Sequence, residues 1–222
     1  MTKSLILFAL LLTLSACGGT PPPANWQMNA VSLLEHAQQR WLEGDAAAAD
    51  AAMAKARAQI ARSGRVDLLA RAELAQCAAR VAGLDFSPCS GYETVAHDAS
   101  AADRAYARFL RGDWDGLDAT LLPAHYGSTL AARDPAAANK AVTDIKAPLP
   151  RLLAAALLFQ RQQAEPATLV TAIDTASERG WRRPLLAWLE VQRQRALAAG
   201  NLDAAAALRR RADLVQGTLA KP

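Results

Sequence analysis

Residues 33–60 read LLEHAQQRWLEGDAAAADAAMAKARAQI, and the fold of the chain depends on how this stretch is divided. Leu33, Leu34, Ala37 and Trp41 recur at helical spacing within a segment running from Asn29 to Glu43. Gly44-Asp45 stops that run, because glycine and aspartate are helix breakers at that position. Ala49, Met53, Ala56 and Ile60 then line one face of a second helix, from Ala46 to Arg62, which stops at Ser63-Gly64. Two antiparallel helices joined by a tight turn are the natural result.

Reading outward, long Ala, Leu, Arg, Glu and Gln segments recur, broken at helix length by Gly, Pro, Asp or Asn. Val66 to Ala82 carries two overlapping apolar stripes, which predicts a central helix with a wide buried surface. Gly83 to Asp98 is the longest unpatterned stretch, and Ser100 with Asp103 forms a capping pair for a helix carrying Tyr106, Phe109 and Leu110. Gly112 to Ala132 holds a short helix and a loop containing His125 and Tyr126. Asp134-Pro135 opens another helix as cap and first-turn proline, and Pro148 with Pro150 separates it from the most apolar helix, around Leu152 to Leu157. Pro166 to Gly180, Trp181 to Ala199 and Leu202 to Val215 complete about ten helical segments.

The hairpin at Gly44-Asp45, with Leu33 and Ala37 before it and Ala49, Met53 and Ala56 after it, resembles one tetratricopeptide-type unit of about 34 residues. Arg40-Trp41-Leu42-Glu43-Gly44-Asp45 returns as Arg108-Phe109-Leu110-Arg111-Gly112-Asp113, a shift of 68 residues, and Gly200-Asn201-Leu202-Asp203 repeats the turn again. The family's Trp, Leu-Gly, Tyr and closing Pro are mostly missing. The resemblance implies an all-α fold in which antiparallel helical hairpins stack as a tetratricopeptide-like α-solenoid.

Near the N-terminus, Lys3 precedes a largely apolar run from Leu5 to Leu14, too short to span a bilayer and suited to an export signal. Leu14-Ser15-Ala16-Cys17 resembles the lipobox of bacterial lipoproteins. That resemblance implies a cleaved signal peptide (1–16), a diacylglycerol on the Cys17 sulfur and an acylated new N-terminus. Gly18 stands where inner-membrane lipoproteins of Gram-negative bacteria carry an aspartate, so the implied location is the outer membrane, facing the periplasm. Residues 17–25 form a tether, of which Gly18 to Ala24, with three consecutive prolines, spans about 20 Å. Residues 26–216 form the helical domain and residues 217–222 a tail.

With Cys17 assigned to lipid, Cys77 and Cys89 remain as an even pair in an oxidising compartment, which predicts a disulfide. The breaker-rich Gly83 to Pro88 bends the chain back for it, and closing so short a loop is worth on the order of 2–3 kcal/mol. The formal net charge of the chain is +4, too mild to select a partner class. Its distribution is uneven: residues 150–222 carry 11 basic and 6 acidic side chains. Arg179, Trp181, Arg182 and Arg183 at one helix boundary, with Arg209 and Arg210 further on, are candidate contacts for an acidic partner, beside the simpler role of a solvated helix face. His36, His97 and His125 are isolated in sequence, and no zinc, EF-hand, nucleophile-elbow or phosphate-loop spacing accompanies them. No metal, cofactor or nucleic-acid partner is expected, and no feature sets an oligomeric state. Trp26, Trp41, Trp114, Trp181 and Trp188 fit core packing. Two functions stand open: a non-enzymatic, lipid-anchored scaffold or assembly factor for an envelope protein or peptide, and an envelope enzyme or small-ligand binder with a loop-built pocket near His97 or His125.

Overall fold

The computed structural model describes residues 23–217; the signal peptide, Cys17 and most of the tether and tail lie outside the described residues. Eleven α-helices and three short 3-10 turns make up the described chain. Helix α1 (Asn25–Glu43) and α2 (Ala46–Ala61) form the expected hairpin. Gly44 takes the left-handed conformation, φ +96°, and the Asp45 N–H donates to the Arg40 carbonyl at 2.9 Å, closing α1. Asp45 Oδ1 then accepts from the Ala48 N–H at 3.0 Å, opening α2. Ala49, Met53, Ala56 and Ile60 are buried on one face of α2, as their spacing predicts.

Helix α3 (Val66–Ala82) is the central element, in contact with both helices of the hairpin and with helices from the middle of the chain. Its link to α2 combines an apolar contact, Ala72 with Ala52, Met53 and Ile60, and an ion pair in which Arg57 Nε and Nη2 donate to both oxygens of Glu73, which is 8% exposed. The unpatterned stretch contains a single helical turn, α4 (Ser90–Glu93), and a 3-10 turn, Ala96–Asp98. Gly91 in α4 has no room for a side chain, because a Cβ there would collide with the Glu73 carboxylate. Helix α5 (Ala101–Leu110) is capped by Ser100 as predicted, its Oγ accepting from the Asp103 N–H at 3.1 Å.

After two more 3-10 turns the chain forms α6 (Gly127–Leu130) and α7 (Pro135–Asp144), the latter capped by Asp134. Helix α8 (Pro148–Gln160) starts at Pro148 and holds Pro150 in its first turn, where no intrahelical N–H is needed. Leu152 to Leu158 are all buried, and α8 packs on α3 to make the middle of the core. Helices α9 (Pro166–Glu178), α10 (Arg182–Ala198) and α11 (Leu202–Gly217) complete the described chain, with α10 and α11 paired antiparallel.

The hairpins at both ends of the described chain are therefore present. A regular solenoid joining them is not shown: α10 returns to pack on α1, and Trp188 of α10 donates to the Ala82 carbonyl of α3 at 3.3 Å. Units of a solenoid touch only their neighbours, whereas here elements about 140 residues apart in sequence are in contact.

Candidate functional site

Asp103 sits in the first turn of α5, 5% exposed, where the Ser100 hydroxyl donates to it at 2.6 Å. A buried carboxylate needs a cation, and Arg71 of α3 supplies one, with Nε 3.1 Å and Nη2 3.4 Å from the two oxygens. The Arg71 side chain itself is 59% exposed. The result is a guanidinium held at the surface by a buried acid, with less freedom to lose on binding than a solvated arginine.

One turn along α5, Tyr106 and Phe109 join Tyr126 and Trp114 in an aromatic cluster. Ring centroids lie 6.2 Å apart for Tyr106 and Tyr126, 4.7 Å for Phe109 and Tyr126, and 5.3 Å for Phe109 and Trp114. Burial pushes the Tyr106 phenol up to about 12 and that of Tyr126 well above its ordinary value, so both stay protonated. Beside these rings a cavity of about 410 Å³ is walled by Ala78, Leu121, Leu122, Leu149 and Pro150, with Arg71, Asp103 and His125 among its ionisable groups. His125 meets Tyr126 edge-on at 4.1 Å, and burial lowers its pKa, which leaves the imidazole neutral at neutral pH. Apolar walls around one fixed guanidinium suit a carboxylate carried next to an apolar group.

The six residues proposed from sequence for partner contact lie in different environments. Trp181 is 4% exposed and its Nε1 donates to Gln39 Oε1 at 3.1 Å. Arg182 Nε donates to the Glu43 carbonyl at 2.9 Å, and Arg183 Nε to the Trp41 carbonyl at 3.0 Å. The Arg183 guanidinium also lies 4.0 Å from the Trp41 ring centroid. A helix ends with carbonyls that have no intrahelical donor: Arg182 satisfies that of Glu43, Arg183 adds a second donor to the Trp41 carbonyl, which the Gly44 N–H already bonds, and both cations favour the negative dipole end of α1. Arg179 is exposed, 5.7 Å from the Trp181 ring centroid; Arg209 pairs with Asp213 at 2.8 Å on the surface of α11; Arg210 is exposed.

Cys77 and Cys89 are bonded, with Cα atoms 5.7 Å apart, which ties α3 to the residue before α4. His97 and His36 are exposed, and of the two histidines named for a loop-built pocket only His125 lines this cavity. Among the described residues no three His, Cys, Asp or Glu side chains gather as metal ligands, and no helix is long and apolar enough to cross a membrane. The pairing of Arg71 with Asp103 was not visible in the sequence. Its signal was the capping pair Ser100 and Asp103, which reads equally as a helix start and nothing else. No protein-family model, curated protein or solved structure matches the chain.

Proposed function

We propose that this chain is a non-enzymatic binding protein of the bacterial envelope, lipid-anchored at Cys17 on the periplasmic side of the outer membrane. Its ligand is a peptide segment that carries a carboxylate beside an aliphatic or aromatic side chain. The observation that carries this is Arg71, exposed yet held by buried Asp103 at the edge of an apolar cavity. The lipobox resemblance supports the location, and a short tether raises the local concentration of the site near the membrane, so that a modest affinity suffices.

Fluorescently labelled peptides pairing Glu or Asp with Leu, Phe or Trp test it. Arg71→Ala weakens their binding about tenfold or more, and Arg71→Lys, which keeps the charge but loses the fork, falls between. Replacing the peptide's Glu by Gln has the same effect as Arg71→Ala. Equal binding of the Glu and Gln peptides sinks the proposal. A second reading, an enzyme or small-ligand binder using the same cavity, draws on His125, whose neutral imidazole can accept a proton. Turnover of small esters or amides that is lost in His125→Ala would favour it.

A further inference from the structure

A second cavity, of about 300 Å³, lies beside Trp114 and differs from the first in being lined largely by polar and charged groups. Four segments supply it: Trp114 and Asp115 after α5, Thr129 of α6, the Arg133-Asp134 turn before α7, and Arg161 after α8. Two arginines and two aspartates thus line one small space. Among the described residues, none of Asp115, Arg133, Asp134 and Arg161 is in an ion pair.

The group is partly pre-organised. Arg161 Nη1 donates to the Gly112 carbonyl at 2.6 Å, and its guanidinium lies 4.6 Å from the Trp114 ring centroid. Trp114 is fixed in turn, its Nε1 donating to the Phe109 carbonyl at 3.1 Å. Asp134 is held by capping α7, where Oδ1 accepts from the Ala137 N–H at 2.8 Å. Thr129 lines the same cavity, is 2% exposed, and has a buried hydroxyl with no hydrogen-bond partner, a costly arrangement for a native side chain.

We propose that this cavity binds a small zwitterion of the α-amino-acid class, its carboxylate facing Arg133 and Arg161 and its ammonium facing Asp115 and Asp134. A simple anion would meet the two carboxylates unpaired, and a simple cation the two guanidiniums; a ligand carrying both charges satisfies both pairs. The volume stands at the small end of the range for ligand cavities, which fits an amino acid or a dipeptide rather than a larger molecule. The proposal is independent of the peptide site at Arg71, since the two cavities share no residue.

The test monitors the Trp114 indole N–H resonance of ¹⁵N-labelled protein during titration with free amino acids, dipeptides, N-acetyl amino acids and amino-acid amides. The zwitterions give saturable shifts, and the two blocked series, each lacking one charge, bind at least tenfold more weakly. Free amino acids and dipeptides separate the two sources of the same chemistry by their relative affinities. Asp115→Asn and Arg133→Gln, both at exposed positions whose side chains make no internal ion pair, weaken zwitterion binding about tenfold each without moving the melting temperature. Blocked and unblocked ligands binding alike, no saturable shift for any zwitterion, or full affinity in both variants would each overturn the proposal.

Discussion

The turns at Gly44 and Gly112 begin alike and end differently. Each comes after Arg-aromatic-Leu-x, puts its glycine in the left-handed region (φ +96° and +75°), and sends the next aspartate's N–H back to the arginine carbonyl, at 2.9 and 3.1 Å. In each the arginine side chain bonds that aspartate's carboxylate. Yet a helix of 16 residues succeeds Asp45, whereas turns and 3-10 segments succeed Asp113. The difference lies in the carboxylates. Arg40 takes only Oδ2 of Asp45, which leaves Oδ1 to cap the Ala48 N–H. Arg108 takes both oxygens of Asp113, and Gly116 breaks the segment beyond. At Gly200 the third turn obeys the same rule: Asn201 Oδ1 accepts from the Ala204 N–H at 3.0 Å, and α11 begins. The six-residue pattern therefore encodes how a helix stops; the next helix needs a free cap oxygen and a surface to pack on.

Substitutions separate these two requirements. The largest effect belongs to the surface that α2 packs on: Arg57→Ala leaves Glu73 buried without its cation and lowers unfolding stability by roughly 3 kcal/mol, measured by urea denaturation. Gly112→Ala costs about 2 kcal/mol, since a left-handed backbone is combined with a Cβ only 3.1 Å from Gln160 Oε1. A larger loss for Gly64→Ala, which has the same sign of φ and open space, would contradict the role given to Gln160. Asp45→Ala removes a working cap and lowers the melting temperature by about 3 °C, while Asp113→Ala, which removes only an exposed ion pair, changes it by less than about 1 °C.

The smallest effect is acid sensitivity. The hydrogen bond from the Ala48 N–H, and then that from Arg40, lower the pKa of Asp45, and Arg108 lowers that of Asp113. A carboxyl whose folded pKa is depressed contributes stability above its unfolded value near 3.8, and loses it as pH falls through the folded value. Melting temperatures of the wild type and Asp45→Ala should therefore converge as pH falls below about 4, because protonation removes the same interactions as the substitution.

The legible part of the sequence was local. Caps and stops act within four residues, so Asp45, Ser100, Asp134 and the glycine turns placed helix ends within a few residues of where they lie. The Cys77 to Cys89 bond was reachable because the separation of 12 residues is short and breaker-rich. The exposed arginine face expected in the C-terminal third was not found intact, because Arg182 and Arg183 meet carbonyls some 140 residues away. The same distance problem hid the Arg71 site. Nothing near Arg71 marks Asp103 as its partner, and their meeting depends on α5 packing against α3. The helical periodicity of Tyr106 and Phe109 announced packing, but not that Tyr126 and Trp114 would close the cluster from beyond Gly112.

The contact between Arg182, Arg183 and the end of α1 also sets an order of events in a chain made from its N-terminus. The α1–α2 hairpin contains the signals for its own turn, including the Gly44 N–H on the Trp41 carbonyl, and can form early, but the Arg182 donor to the Glu43 carbonyl and the second, Arg183 donor to that of Trp41 arrive only when residue 183 has emerged. Until then the Glu43 carbonyl remains hydrated, and closure of α10 onto α1 is a late step of high sequence separation, slowed by loop-closure entropy. Pulsed hydrogen exchange during refolding should find amides of α2 protected before those at the start of α10. Among the described residues, the first helix is finished by nearly the last.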